Sequence, residues 1–260
     1  AADRAIEQGL DYLVKIQGDP TGESSDNSKV ASTSLAGLAI LASGDVWDRG
    51  PRSASVNRAV GFILDSCKTT FQSRPDHVFF ASGNEKQGKM HAHGSATLLL
   101  AECYGPTTRD PEIKDALRGA IAATLAAQTE KGGWGYYLAS DPGFGQDEAS
   151  VTITQIQALR ACRNAGFVVP ADAVERAVRY VRESMNRDGA CKYSLTMGGE
   201  ESRRTSYELT AAAVSTLNAS GVYESPERRR GLGYLRRALA DPKLDSPGKA
   251  ATDFYFYGNF

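Results

Sequence analysis

The segment Gln128-Thr129-Glu130-Lys131-Gly132-Gly133-Trp134-Gly135-Tyr136 constrains this chain more than any other. Weaker copies of its frame return roughly every fifty to sixty residues, a spacing that marks repeat architectures. Aligned on the position of Gln128, a second copy carries Met185, preceded by Arg176, Ala177, Tyr180 and Val181 and followed by Gly189, Cys191 and Tyr193. A third is anchored at Cys67 behind Arg58, Ala59, Phe62 and Ile63, and a fourth at Leu239 behind Arg230, Gly231, Tyr234 and Leu235. Gly9, Tyr12, Leu13 and Gln17 fall in the same register at the start of the chain. The reading is one domain over residues 1–260 with about five repeats, the last truncated.

Each repeat has a local physical meaning. The alanine-rich amphipathic runs before the anchors have helical periodicity, and the glycine-rich segments after them stop the helix. A helix end leaves backbone groups without partners, and a glutamine amide can satisfy both kinds. Gln128, Gly132 and Trp134 are therefore expected to form a structural clasp rather than a ligand site. Two populations of helix alternate. Charged ones are expected at Ala2–Ile16, Ser55–Cys67, Glu112–Gln128, Ala171–Met185 and Glu227–Ala240. Between them lie apolar ones at Ser28–Ala42, His91–Tyr104, Glu148–Ala165 and Thr205–Ala219. A helix that is apolar nearly all round is buried, and one with a charged face meets water, so the pattern predicts an all-α fold with inner and outer helix layers.

The repeat frame resembles the QW repeat of squalene and hopene cyclases, an α/α toroid of helical hairpins whose fold is shared with protein prenyltransferase β subunits and complement thioester domains. The resemblance covers essentially the whole chain. It implies a central cavity lined by the inner helices, with function at their N-terminal ends. The aromatic cluster Phe254-Tyr255-Phe256-Tyr257 stands where a fifth inner helix would begin. A further C-terminal segment or a protein partner is therefore expected to close the ring, which is incomplete at that end.

Composition sets the remaining bounds. Thirty basic and 31 acidic residues leave a net charge of −1, which argues against a nucleic-acid surface. The basic cluster Arg228–Arg230 with Arg236 and Arg237 reads as a solvated helix face. No run approaches the ~20 apolar residues that cross a bilayer. The expectation is a soluble protein with no transmembrane segment, cytoplasmic or exported after signal removal, since a start at Ala1-Ala2-Asp3 fits either. The four cysteines lack metal-ligand spacing and read as small buried residues.

The chemistry known for the resembling families is only partly represented. Cyclases protonate an alkene with an Asp-x-Asp-Asp acid, and no such motif occurs; the nearest candidate is the pair Asp147-Glu148, whose plainer reading is helix capping. Zinc prenyltransferases need Asp, Cys and His. Asp147 matches the first, but Ala149 and Phe256 occupy the other two places, so no metal and no cofactor is expected. The Cys-Gly-Glu-Gln motif of thioester domains is absent. His91 and His93 do not share a helix face, and His93 is expected at the cavity end with Asp147 as a partner or proton donor. Catalytic candidates are thus Asp147, Glu148 and His93.

Tyr137, Phe144, Tyr207, Asp253, Tyr255 and Tyr257 are the candidates for contact with an apolar, isoprenoid-type ligand. Arg203 and Arg204, in the loop before the fourth inner helix, could meet a diphosphate or carboxylate. Three uses remain open at this level. They are an isoprenoid-modifying or terpene cyclase-like enzyme, a non-catalytic binding or scaffold module, and a module acting on polysaccharide or peptide.

Overall fold

The computed structural model describes residues 2–17, 29–68, 76–81, 89–105, 109–139, 141 and 144–240. Among them the chain is predominantly helical. The helices are α1 (Ala2–Ile16), α2 (Lys29–Ala42), α3 (Ser53–Ser66), α4 (Lys89–Cys103), α5 (Asp110–Ala126), α6 (Ala149–Asn164), α7 (Ala171–Ser184), α8 (Tyr207–Ala219) and α9 (Pro226–Ala240). The strands β1 (Cys191–Lys192) and β2 (Thr205–Ser206) form a short antiparallel ladder, Cys191 opposite Ser206 and Lys192 opposite Thr205. A single 3-10 turn covers Glu201–Arg203. No helix among the described residues is long and apolar enough to cross a membrane.

The apolar helices α4 and α8 are buried far more completely than the charged α7, whereas α2, also apolar, buries six of its 14 residues, as many as the charged α3. α7 buries Ala173, Ala177, Tyr180, Val181 and Ser184, a stripe at helical spacing, while Arg179 and Arg182 lie off it. α4 buries eleven of its residues, from Met90 to Cys103, and these fall on every face. α8 is alike, with ten buried between Tyr207 and Leu217. One helix end shows how glycine stops a helix. At the end of α6, Gly166 adopts φ +90°, its amide donates to the Arg163 carbonyl, and the Phe167 amide donates to the Cys162 carbonyl. This is a Schellman stop, which needs a residue free to enter the left-handed region.

By density of internal contacts the chain divides into two compact units, Ala1–Ala126 with Ala161–Val168, and Ala127–Arg160 with Val169–Phe260. In unit 1, α2 packs on α1, α3 and α4, and α5 packs on α3 and α4. In unit 2, α8 packs on α7, α9 and the β1–β2 ladder.

Two turns of unit 2 share one hydrogen-bond geometry. The Thr129 amide donates to the Gly133 carbonyl at 2.9 Å, and 57 residues on, the Asn186 amide donates to the Ala190 carbonyl at 2.8 Å. Gly132 donates to Thr129 as Gly189 donates to Asn186. The Trp134 amide donates to the Thr152 hydroxyl at 2.9 Å, and the Cys191 amide to the Thr210 hydroxyl at 2.9 Å. Gly132 and Gly189 both hold positive φ, +90° and +98°. A Cβ on the first would overlap the Arg176 carbonyl and on the second the Arg230 carbonyl. Those two arginines are themselves equivalent positions. Each glycine turn therefore seats directly on the backbone of the following charged helix, and only glycine leaves room for that approach.

Candidate functional site

The polar centre of unit 2 is Asp147, fully buried just before α6. Its Oδ1 accepts from the Tyr180 hydroxyl at 2.7 Å, the Ser194 hydroxyl at 2.9 Å and the Leu195 amide at 2.8 Å. Its own amide donates to the Thr196 hydroxyl at 2.8 Å. One carboxylate thus joins α7, the start of α6 and the turn that follows β1. Oδ2 is buried and has no hydrogen-bond partner among the described residues. Burial beside the Asp147 and Glu148 charges pushes the Tyr180 phenol far up, so it stays protonated and donates.

Glu148, the next residue, occupies the N-cap of α6. Its carboxylate accepts from the Ser150 amide at 3.0 Å, the Ser150 hydroxyl, and the Val151 amide at 2.9 Å. Ser206 does the same at the start of α8, accepting from the Leu209 amide at 3.1 Å. Capping residues and a negative charge both suit a helix N-terminus, where amides lack partners. Burial raises the Glu148 carboxyl above its ordinary value, and these donors together with the Arg204 charge pull it back in part.

His93 belongs to unit 1 and is fully buried on α4. Nδ1 accepts from the Phe80 amide at 3.3 Å, while Nε2 faces the Thr124 hydroxyl at 2.9 Å and the Ala120 carbonyl at 3.3 Å. The ring stacks on Phe79 and Phe80, with centroids 4.7 and 5.7 Å away. Burial lowers its pKa to about 4, so the imidazole is neutral near pH 7. Both nitrogens are engaged within unit 1. Asp147 and Glu148 lie in unit 2, and each of the three is held by its own unit.

The aromatic candidates divide. Tyr207 is buried in a cluster with Ala190, Tyr234 and Ala238, against Leu235, as ordinary core. Tyr137 is half-buried, and Phe144 is 41% exposed. Asp253, Tyr255 and Tyr257 lie outside the described residues. Tyr193 has the Arg204 guanidinium 5.5 Å above its ring centre, and its hydroxyl meets that of Tyr136. In the basic cluster, Arg228 donates to the Asn218 side chain, Arg230 pairs with Glu227 at 3.8 Å, and Arg237 donates to the Asp188 carbonyl at 2.7 Å.

Around Gln128 the side-chain amide donates to the carbonyls of Gly132 and Ala173, each at 2.9 Å. Its oxygen accepts from Nε of Arg176 at 3.2 Å and from that residue's Nη2. Trp134 is fully buried. No group of three or more His, Cys, Asp or Glu converges to hold a metal among the described residues. All four cysteines are free and buried. Ala149 is buried in the first turn of α6.

No protein-family model matches the chain, and no curated protein matches it.

Several of these partners carry little sequence signal. Tyr180 stands in the sequence only as the aromatic of the repeat frame, and no motif marks Thr152 or Thr210. Laying Trp134 over Cys191 brings Thr152 and Thr210 to nearly equal offsets, 18 and 19 residues, and that is their one signal in the sequence. Nothing in the spacing marks Ser194.

Proposed function

We propose that this chain is a non-catalytic helical-repeat binding or scaffold module. The observation that supports the reading best is the employment of its reactive side chains. Both nitrogens of His93 bridge Phe80 to Thr124 and Ala120, both oxygens of Glu148 cap α6, and Oδ1 of Asp147 takes three donors. Groups so engaged maintain the frame, and a general acid needs a proton it can release toward a substrate. The alternation of apolar and charged helices, with glycine turns seated on the following helix, is consistent with the α/α toroid that the repeat frame suggests.

A second reading rests on one atom. Oδ2 of Asp147 is buried and has no hydrogen-bond partner among the described residues, which suits a carboxylate oriented toward a bound molecule. In that case an apolar, isoprenoid-type ligand with one donor or cationic centre is the fitting occupant, and terpene cyclase-like chemistry would begin there.

Incubation of the wild type with squalene and with farnesyl diphosphate, followed by product analysis, separates the two. The binding-module reading expects neither compound to be consumed. A new product that Asp147→Asn fails to make, while Asp147→Asn retains a cooperative unfolding transition, would sink it in favour of the second reading. Native mass spectrometry of protein purified from its own host adds an independent arm, because a retained isoprenoid lost in Asp147→Asn identifies the occupant.

A further inference from the structure

Unit 1 holds a cleft of about 420 Å³ where the C-terminal ends of α4 and α6 meet α5. Its size falls within the roughly 300–1,000 Å³ of small-molecule sites. None of its lining residues belongs to the Asp147, Glu148 or His93 constellations. One wall is the ring pair Tyr104 and Phe167, with centroids 5.1 Å apart and planes inclined at 58°. The Schellman stop at Gly166 places Phe167 there. No heavy atom lies within 4 Å of where a Cβ on Gly166 would stand, so the backbone surface there is open. Ile121 adds an apolar contact from α5.

The opposite chemistry comes from the same helix. Lys114 and Arg118 are one turn apart on α5 and both line the cleft. Lys114 forms no ion pair with another described residue, and Arg118 reaches Asp115 only at 3.8 Å in an exposed pair. Such a pair contributes little and is easily exchanged. The carbonyl ends of α4 and α6 bring partial negative charge, about half a unit at each terminus. The Arg163 and Cys162 carbonyls are already occupied by the Gly166 and Phe167 amides. Two full cations, less the Asp115 charge and the half charge of the α4 end, leave a small positive balance facing an aromatic wall.

We propose that this cleft binds a small monoanion with a flat apolar body, an aromatic carboxylate. The ring packs on Tyr104, Phe167 and Ile121, and the carboxylate is held by Lys114 and Arg118 through charge-assisted hydrogen bonds. The site goes beyond the binding-module reading and stands or falls separately from it.

Titration of the full chain with 2-naphthoate, followed by ligand fluorescence and by NMR of labelled tyrosine and phenylalanine, tests the assignment. Saturable binding is expected, with shifts confined to Tyr104 and Phe167, and with the neutral isostere 2-naphthalenemethanol about tenfold weaker or worse. Lys114→Gln and Arg118→Gln should each weaken naphthoate about tenfold. Asp115→Asn, which frees Arg118, should tighten it about two- to threefold, an effect of opposite sign that loss of folding cannot produce. Absence of saturation, equal affinity for the neutral isostere, indifference to both charge removals, or shifts elsewhere in the chain would overturn the proposal. Full displacement by equimolar inorganic phosphate would overturn it too, because the apolar body would then contribute nothing.

Discussion

The hydroxyl of Tyr180 donates to Oδ1 of Asp147 at 2.7 Å across 33 residues of sequence, with both side chains buried. A residue of the charged-helix stripe is thereby joined to the carboxylate that precedes the buried helix α6. A buried acceptor that loses a donor retains its desolvation cost, so removing this hydroxyl has a calculable sign.

Tyr180→Phe should destabilise the fold by about 1–3 kcal/mol. Asp147→Ala should cost more, since it leaves the Tyr180 hydroxyl, the Ser194 hydroxyl and the Leu195 amide without their common acceptor. Urea unfolding of the three proteins checks the order. Equal midpoints for Tyr180→Phe and wild type would remove the bond from any account of stability.

The positive-φ glycines allow a contrast between conformation and close approach. Gly145→Ala, at φ +103° with no heavy atom within 4 Å of the added Cβ, should cost about 1–2 kcal/mol from backbone strain alone. Gly132→Ala and Gly189→Ala carry the same strain plus overlap with the Arg176 and Arg230 carbonyls, and should cost at least about 2 kcal/mol more than Gly145→Ala. Thermal unfolding of the three variants measures the difference. If all three fall together, the close seating of turn on helix is energetically irrelevant.

Gln128→Ala withdraws the donor to two carbonyls and the acceptor of Arg176 in one step. A loss of about 1–3 kcal/mol is expected for the unsatisfied groups. Gln128→Glu should be worse than its similar shape suggests, because a carboxylate oxygen would replace the donor that faces the Gly132 and Ala173 carbonyls. Denaturant midpoints at pH 7 test the ranking, and a Glu variant more stable than the Ala variant would contradict it.

Acid should act through His93. Burial holds its folded-state pKa at about 4, against roughly 6.5 in an unfolded chain. Between those values the unfolded chain takes up a proton that the folded chain refuses, so stability falls as pH drops through that window. The full effect is on the order of 3 kcal/mol. His91 is lowered to about 4 by burial as well, and Glu148, raised by burial, acts in the opposite sense at the lower end. The His93→Gln variant should therefore lose less stability than wild type between pH 6.5 and 4 without becoming indifferent to acid. Parallel curves for the two proteins would assign the acid sensitivity elsewhere.

The thiols make a kinetic prediction. Burial pushes Cys67 up to about 11 and Cys103, Cys162 and Cys191 up to about 12, and all four are inaccessible. A thiol-reactive disulfide reagent at pH 8 should label none rapidly in the native protein and all four in denaturant. Rapid native labelling of Cys191 would show that the β1–β2 ladder opens readily.

Much of the local structure was legible in advance. α1 spans Ala2–Ile16, the expected range, and α6 begins at Ala149, one residue after the expected start at Glu148. Helical periodicity and terminating glycines are properties of neighbouring residues, so they can be read without knowing what the helix packs against. The sequence pattern puts the start of α8 at Thr205, but Thr205 and Ser206 pair with Lys192 and Cys191, thirteen and fifteen positions upstream, and the helix starts at Tyr207. Candidate sites were harder. Asp147 and Glu148 are adjacent and chemically alike, yet one joins three elements while the other caps its own helix. His93 resembles a site residue in sequence, but in the fold Phe79, Phe80, Ala120 and Thr124 surround it.

By itself the sequence determined that this chain is built from alternating charged and apolar helices, and where most of them start and stop. These follow from patterns within a few helical turns, where side-chain spacing and backbone freedom decide the outcome. Only the tertiary structure decided what each polar atom does. Gln128 meets Ala173 and Arg176, Asp147 meets Tyr180 and Ser194, and Lys114 and Arg118 face Phe167, all across 33 residues or more. A buried polar group must find its partner wherever packing brings one, and packing is a property of the whole fold.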